Sequence, residues 1–359
     1  MKTRTRTIVS QVSMLAAIGL VATACVSSEA PGSGDADPDT DDNGTEVTED
    51  DADDTDTADD VETTTARFAY VYDPSHPVGS CGVPAIQDGL QGSGISIDDY
   101  PAAQLGNEAE LLEQVASGGL ELAVAGPSFL GVWHEEAAMF DAPFLFRDVD
   151  HFQEVLDGPI AEDVWGDLAE ESGLNVLASW YYGTRHVTSN VEVNTSADLQ
   201  GVTLRAADAP LYLTMAEIMG GSPTPMALDE VYLALQQGTI DAQENPIPTI
   251  ASQGFHEVQD YINLTGHMIQ GVMVVTSDQY LDSLSDEDRT ALEDAMVGAT
   301  QAVRDCIEEQ ENDFVEEWRE TGEITVNDNV DLDHFRERAM EIVPENFAWG
   351  DLYLEIQGS

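Results

Sequence analysis

Apolar positions along this chain recur at two spacings that alternate. "RFAYVYD" (67–73), an apolar and aromatic run between charges, predicts a strand. "NEAELLEQVASGG" (107–119) predicts a helix with Asn107 as N-cap and a glycine stop. "LELAVAG" (120–126) is a continuous apolar run, as in a strand buried on both faces. "DVDHFQEVLDG" (148–158) predicts another capped helix. "NVLASWYYG" (175–183), "RHVTSNVEV" (185–193) and "VTLRAA" (202–207) predict strands. "APLYLTMAEIMGG" (209–221) predicts a helix with Pro210 early and Gly220 after it. "LDEVYLALQQG" (228–238) predicts a further helix, and "TIDAQENP" (239–246) a strand that breaks at Pro246. Residues 285–320 contain no proline and begin with Ser285 as N-cap followed by acids, so they predict one unusually long helix. Helices alternating with strands give an α/β architecture with a largely parallel sheet in each lobe. In such sheets ligands dock at the strand-to-helix loops.

Two segments precede this pattern. Residues 1–25 read as a targeting segment: Lys2, Arg4 and Arg6, then the short apolar "MLAAIGLVATA", then "VATAC". Small residues before Cys25 resemble a lipobox, with Ala22 where leucine is usual, and predict a lipidated N-terminal cysteine. An ordinary signal peptide is the alternative, and either one exports the protein. Residues 26–65 are low-complexity and acidic, and predict a disordered, self-repelling tether. The globular part then begins at about residue 66.

Charge changes the picture next. The 359 residues carry 12 Lys+Arg against 70 Asp+Glu, a formal net charge of −58, and Lys2 is the one lysine. This is a composition suited to molar salt, where dense counterions screen the repulsion. It makes nucleic acid and anionic membrane surfaces poor partners. With Cys25 set aside, Cys81 and Cys306 remain, either bridged or as separate buried thiols. No metal-like cysteine spacing, G-x-S-x-G elbow, P-loop, HExxH or dinucleotide-binding glycine pattern appears, so no cofactor is expected.

Scarcity makes each remaining arginine informative. Arg289, Arg304, Arg319, Arg336 and Arg338 sit among acids in helical segments and read as surface ion pairs. Arg185 joins two apolar strands, and Arg205 ends a strand just before a helix. A guanidinium there needs a partner, because desolvation of an unpaired charge is costly. Its planar fork suits a carboxylate. That carboxylate is either a ligand's or an internal one such as Asp208 or Asp198. Ser128, after "LAVAG", reads as a ligand hydroxyl or a helix N-cap. Met215, Met219 and Met226 read as core gap-fillers, and His186 as structural.

Five stretches in order carry a family likeness: "AAQLGNEAELLEQVASGGLELAV", "DAPFLFRD", "YYGTRHVTSN", the block from Ala197 to Pro246 with "LQGVTLR" and "ENP", and "FHEVQDYINLTGHM". Together the chain resembles the DctP-type substrate-binding proteins of TRAP (tripartite ATP-independent periplasmic) transporters, from about Tyr70 to the long helix. The resemblance implies a two-lobed periplasmic-binding-protein-like fold. Each lobe is a mixed sheet flanked by helices, and one long helix spans both. Its segmentation puts lobe one at about 66–182 plus 271–310 and lobe two at 183–270 plus 311–359. It implies that Arg205 binds a substrate carboxylate, that Arg185 assists, and that Asn245 completes the polar grip. Tyr181 and Tyr182 stand where family members often have glutamate and asparagine. Trp180, Tyr181 and Tyr182 either pack the ligand's apolar body or are alternating core and surface positions of a strand. The expected function is extracytoplasmic capture of a small organic acid for a TRAP permease. A ligand sensor and a secreted hydrolase are the rivals.

Overall fold

The computed structural model describes residues 63–358. Cys25 and the tether up to residue 62 lie outside the described residues. The expected tether runs slightly too far, because Thr64 and Thr65 already pair with Ile95 and Ser96 in the first strand.

Nine strands form one mixed sheet: β1 (Thr64–Ala69), β2 (Ile95–Tyr100), β3 (Leu122–Ala125), β4 (Leu174–Ser189), β5 (Thr203–Ala206), β6 (Ser222–Pro225), β7 (Ala242–Pro246), β8 (Tyr261–Ser277) and β9 (Thr325–Asn327). Their order is β2-β1-β3-β8-β4-β7-β5-β6, with β9 on β8. Parallel pairs stand at both ends, β1 with β2 and β3, and β5 with β6 and β7. Between them the long strands β4 and β8 run antiparallel to each other. The sheet is therefore mixed rather than largely parallel, and two long strands make it continuous from end to end.

The two strands expected over 175–183 and 185–193 are this single β4. Its bend is at Gly183, where φ is +129° and the register against β8 slips between Tyr181 and Gly183. A Cβ there would lie 2.6 Å from Pro246 Cβ, so both the angle and the space require glycine. β8 itself carries no strand prediction above. Gly266 and Gly271 and a mostly buried, non-alternating sequence hide its period.

The helix signals translate directly. Asn107 caps the helix Glu108–Ala116 in a reciprocal capping box with Glu110. Asp148 caps Val149–Leu156, and Gly220 ends Pro210–Met219 in the left-handed conformation. The long helix is two, Asp286–Gly298 and Thr300–Thr321, meeting at Ala299. Ala299 stays in the helical region and still donates to Ala295 O, so the seam is slight. It falls beside Gly298, where the ladder has least side-chain support.

The second of these helices crosses between the two ends of the sheet. Near its start Val303 approaches Gly82, and Cys306 is bonded to Cys81. Near its end Trp318 packs on His256 and Phe314. At its middle, Glu311 accepts hydrogen bonds from the Thr184 amide (2.6 Å) and the Tyr181 hydroxyl, and so braces the β4 bend. Among the described residues no helix is long and apolar enough to cross a membrane.

Candidate functional site

The carboxyl ends of β1, β3, β5 and β7 converge on one cleft. Tyr72 follows β1, Phe129 follows β3, Arg205 lies in β5, and Asn245 lies in β7. An outer cavity of about 390 Å³ is bordered by Asn107, Glu108, Glu110, Asp208, Met226 and Glu230, with Arg205 at its inner wall. It narrows to a chamber of about 20 Å³ shared by Glu108, Arg185, Arg205, Asn245 and Gln270. Aromatic faces of Tyr72, Phe129, Tyr182 and Tyr212 close that chamber.

The two guanidiniums have different surroundings. Arg185 is 3% exposed and its fork is filled. Nε and Nη2 donate to the Glu244 carboxylate at 2.5 and 2.7 Å, Nη2 also donates to Glu244 O, and Nη1 donates to Gln270 Oε1 at 2.6 Å. Its guanidinium also lies 5.5 Å from the Tyr212 ring centroid. Burial works to raise the Glu244 carboxyl, but the Arg185 charge and the bond from His267 outweigh it and hold it down to about 2. His267 bridges Glu244 (3.2 Å) and Thr265 (2.8 Å). On the other side, Gln270 donates to Asp141 at 3.0 Å and to the Tyr212 hydroxyl, and Tyr212 donates to Asp141 at 3.0 Å. Arg185 is thus the centre of a satisfied buried network.

Arg205 is also 3% exposed, yet Nε and Nη2 both donate to one backbone carbonyl, Met226 O, at 3.0 and 2.8 Å. It makes no ion pair among the described residues. Asp198 instead accepts from Thr195 and Asn194, and Asp208 stands at the outer cavity. Burial pulls the Arg205 guanidinium below its usual value. The charge of Glu244 opposes that shift, and the like charge of Arg185 adds to it. Met226 O orients the fork from behind, and Nη1 has no hydrogen-bond partner among the described residues.

Glu108 completes the charged set. It opens the helix Glu108–Ala116 and lines both cavities. Burial pushes its carboxyl up to about 7, against the pull of Arg205.

Of the residues singled out in the sequence, Arg185, Arg205, Asn245 and Tyr182 meet at the chamber. Asn245 donates to Gln243 Oε1 at 2.7 Å, and Tyr182 accepts from Thr249 at 2.6 Å. Trp180 does not reach it. One strand repeat earlier on β4, its indole donates to Met296 O and packs against Phe68 and Gly82, so it is core. Tyr181 turns to the opposite face, onto Phe152 and Glu311. Ser128 is neither a chamber residue nor an N-cap. Gly126 holds the cap position, and the Ser128 amide donates to Asp141 at 2.8 Å. Cys81 and Cys306 are bridged, with S–S 2.05 Å. Sequence reading missed Glu108, Glu244, Gln270, Tyr72 and Tyr212. Among 70 acidic residues a carboxylate carries little signal. Glu244 had one: it is a charge inside an otherwise buried strand. Among the described residues no group of three or more His, Cys, Asp or Glu side chains is placed to hold a metal ion.

A mixed two-lobed α/β fold with a buried cation at the strand ends defines a solute-binding protein. The chain belongs to the DctP family, bacterial extracellular solute-binding protein family 7, whose model matches residues 90–350. It is 34% identical over 246 residues to the sialic acid-binding periplasmic protein SiaP of Vibrio cholerae, covering 68% of this chain and 76% of that one. It is 34% identical to the 2,3-diketo-L-gulonate-binding periplasmic protein YiaO of Escherichia coli, covering 73% and 80%. A TRAP periplasmic solute-binding protein from Polaromonas sp. JS666 bound to D-erythronate superposes with a TM-score of 0.75 at 30% identity, covering 82% of this chain and 98% of that one.

Proposed function

We propose that this protein is an extracytoplasmic receptor that captures a small carboxylate between its two lobes and delivers it to a TRAP-type permease. The observation that carries this reading is Arg205: a buried guanidinium with a carbonyl behind it, no carboxylate partner among the described residues, and an inner cavity in front. A ligand carboxylate supplies the missing countercharge through charge-assisted hydrogen bonds. Arg185, fixed by Glu244, braces the wall and offers the ligand little further bonding capacity. Asn245 and Tyr182 line the chamber beside it. Lobe one comprises about 66–182 plus 271–310 and lobe two 183–270 plus 311–359. The β4 bend at Gly183 and its β8 partner Gln270 lie at the crossing between them. Hinge closure buries the ligand and forms the surface that the permease reads. Cys25 anchors the chain to the outer face of the membrane through lipid, and the acidic surface is adapted to high salt.

This reading assigns no catalytic step. Isothermal titration with a carboxylate panel in molar salt tests it. The expected result is saturable binding of one acid with no product in the mixture. Turnover of that acid would instead favour the hydrolase, and restored signalling by a membrane receptor without uptake would favour the sensor.

A further inference from the structure

The charges around the cleft narrow the class of acid. Arg185 and Glu244 cancel, which leaves one positive group, Arg205, and one negative group, Glu108, facing the same chamber. The outer cavity adds Glu110, Glu113, Asp208, Asp229 and Glu230 and no second cation. A dicarboxylate would satisfy Arg205 and then set its other charge against Glu108 and this rim. A polyol acid meets a different obstacle, because each buried hydroxyl needs a partner. The chamber's amides are already engaged, Asn245 with Gln243 and Gln270 with Arg185, Asp141 and Tyr212. The rest of the chamber lining includes four aromatic side chains, Tyr72, Tyr182, Tyr212 and Phe129.

Resting on the receptor reading above, we propose that the ligand is a compact zwitterion. Its carboxylate lies on Arg205 and its N–H-bearing cationic centre on Glu108, both of which also line the outer cavity, and its small apolar body lies in that cavity against Phe129. Such a ligand is neutral overall, so it crosses the acidic rim without net repulsion, and it meets one cation and one anion at the chamber wall, Arg205 and Glu108. The cationic end also gains from the electron-rich ring faces. Glu108, whose charge has no ion-pair partner within bonding distance among the described residues, becomes paired when the ligand arrives.

The test is a titration of the full chain in molar salt with L-proline, L-pipecolate and ectoine, each carrying N–H. The comparators are glycine betaine, which has no N–H, D-galactonate and succinate. The expectation is that at least one N–H zwitterion binds more tightly than every comparator, and that Glu108→Gln weakens it by about tenfold or more. The same substitution should not lower the melting midpoint of the empty protein, since burial already disfavours the Glu108 charge. Tighter binding of galactonate or succinate, lost in Arg205→Ala, overturns the zwitterion while leaving the receptor reading intact. So does zwitterion binding that Glu108→Gln does not change. Failure of all six probes and of a wide carboxylate panel overturns both.

Discussion

Arg185 and Arg205 enter one chamber from strands on either side of β7, are buried to the same 3%, and differ in what holds them. Arg185 has a carboxylate, a carbonyl and an amide oxygen within 2.7 Å. Arg205 has one carbonyl. Burial costs both; Arg185 is ion-paired, while Arg205 feels the charges of Glu244 and Glu108 without a salt bridge to either among the described residues. On the proposed reading the first serves the fold and the second serves the ligand. A buried guanidinium with no carboxylate bonded to it keeps bonding capacity that, on the proposed reading, an arriving anion fills.

Breaking the paired arginine should have the larger consequence. Arg185→Ala leaves Glu244 buried and unpaired, with Gln270 short of a donor, and should lower unfolding free energy by about 3–5 kcal/mol. Denaturant melts in molar salt measure it. If the loss stays under about 1 kcal/mol, the network is not structural.

Arg205→Ala should instead spare the empty fold and weaken ligand binding by about 2–5 kcal/mol, read as a shift in Kd. A double substitution sharpens the contrast. Arg185→Ala with Glu244→Ala should recover part of the stability lost in Arg185→Ala, because no lone charge remains.

The β4 bend separates the two roles along the chain. Gly183→Ala should cost about 1–3 kcal/mol, from the positive φ and the approach of Pro246. An unchanged melt would mean that the bend relaxes freely.

The smallest effect concerns Glu311. Burial, opposed by the Thr184 and Tyr181 bonds, raises its carboxyl to about 7, above the 4.5 of an unperturbed glutamate. The folded chain then holds this proton at higher pH than the unfolded chain. The group's contribution to stability is present below about pH 4.5 and is lost as pH rises through about 7. Glu311→Gln should gain on the wild type over that window by about 1 kcal/mol or more. A gap that stays constant with pH would place its titration elsewhere.

Much of the architecture was legible because local signals agreed with packing. Asn107, Asp148 and Gly220 mark helix ends by their own hydrogen bonds and backbone preferences. Other features were not legible, for physical reasons. The bend at Gly183 read as a gap between two strands, since a glycine at positive φ looks the same in sequence whether the chain turns or merely kinks. At the site, scarcity exposed the arginines, while abundance hid the carboxylates that decide their roles. Only its place inside a buried strand set Glu244 apart from the solvated acids, and nothing in the spacing tied it to Arg185. Trp180 was misplaced because one aromatic run on β4 serves three environments: core, helix brace and chamber.

The most direct measurement is a thermal-shift titration of wild type and Arg205→Ala, side by side in molar salt, against the carboxylate that binds the wild type. The account predicts equal melting midpoints without ligand, and a ligand-driven rise in the wild type alone. An equal rise in both would contradict it, because the acid would then be held by something other than the unpaired guanidinium.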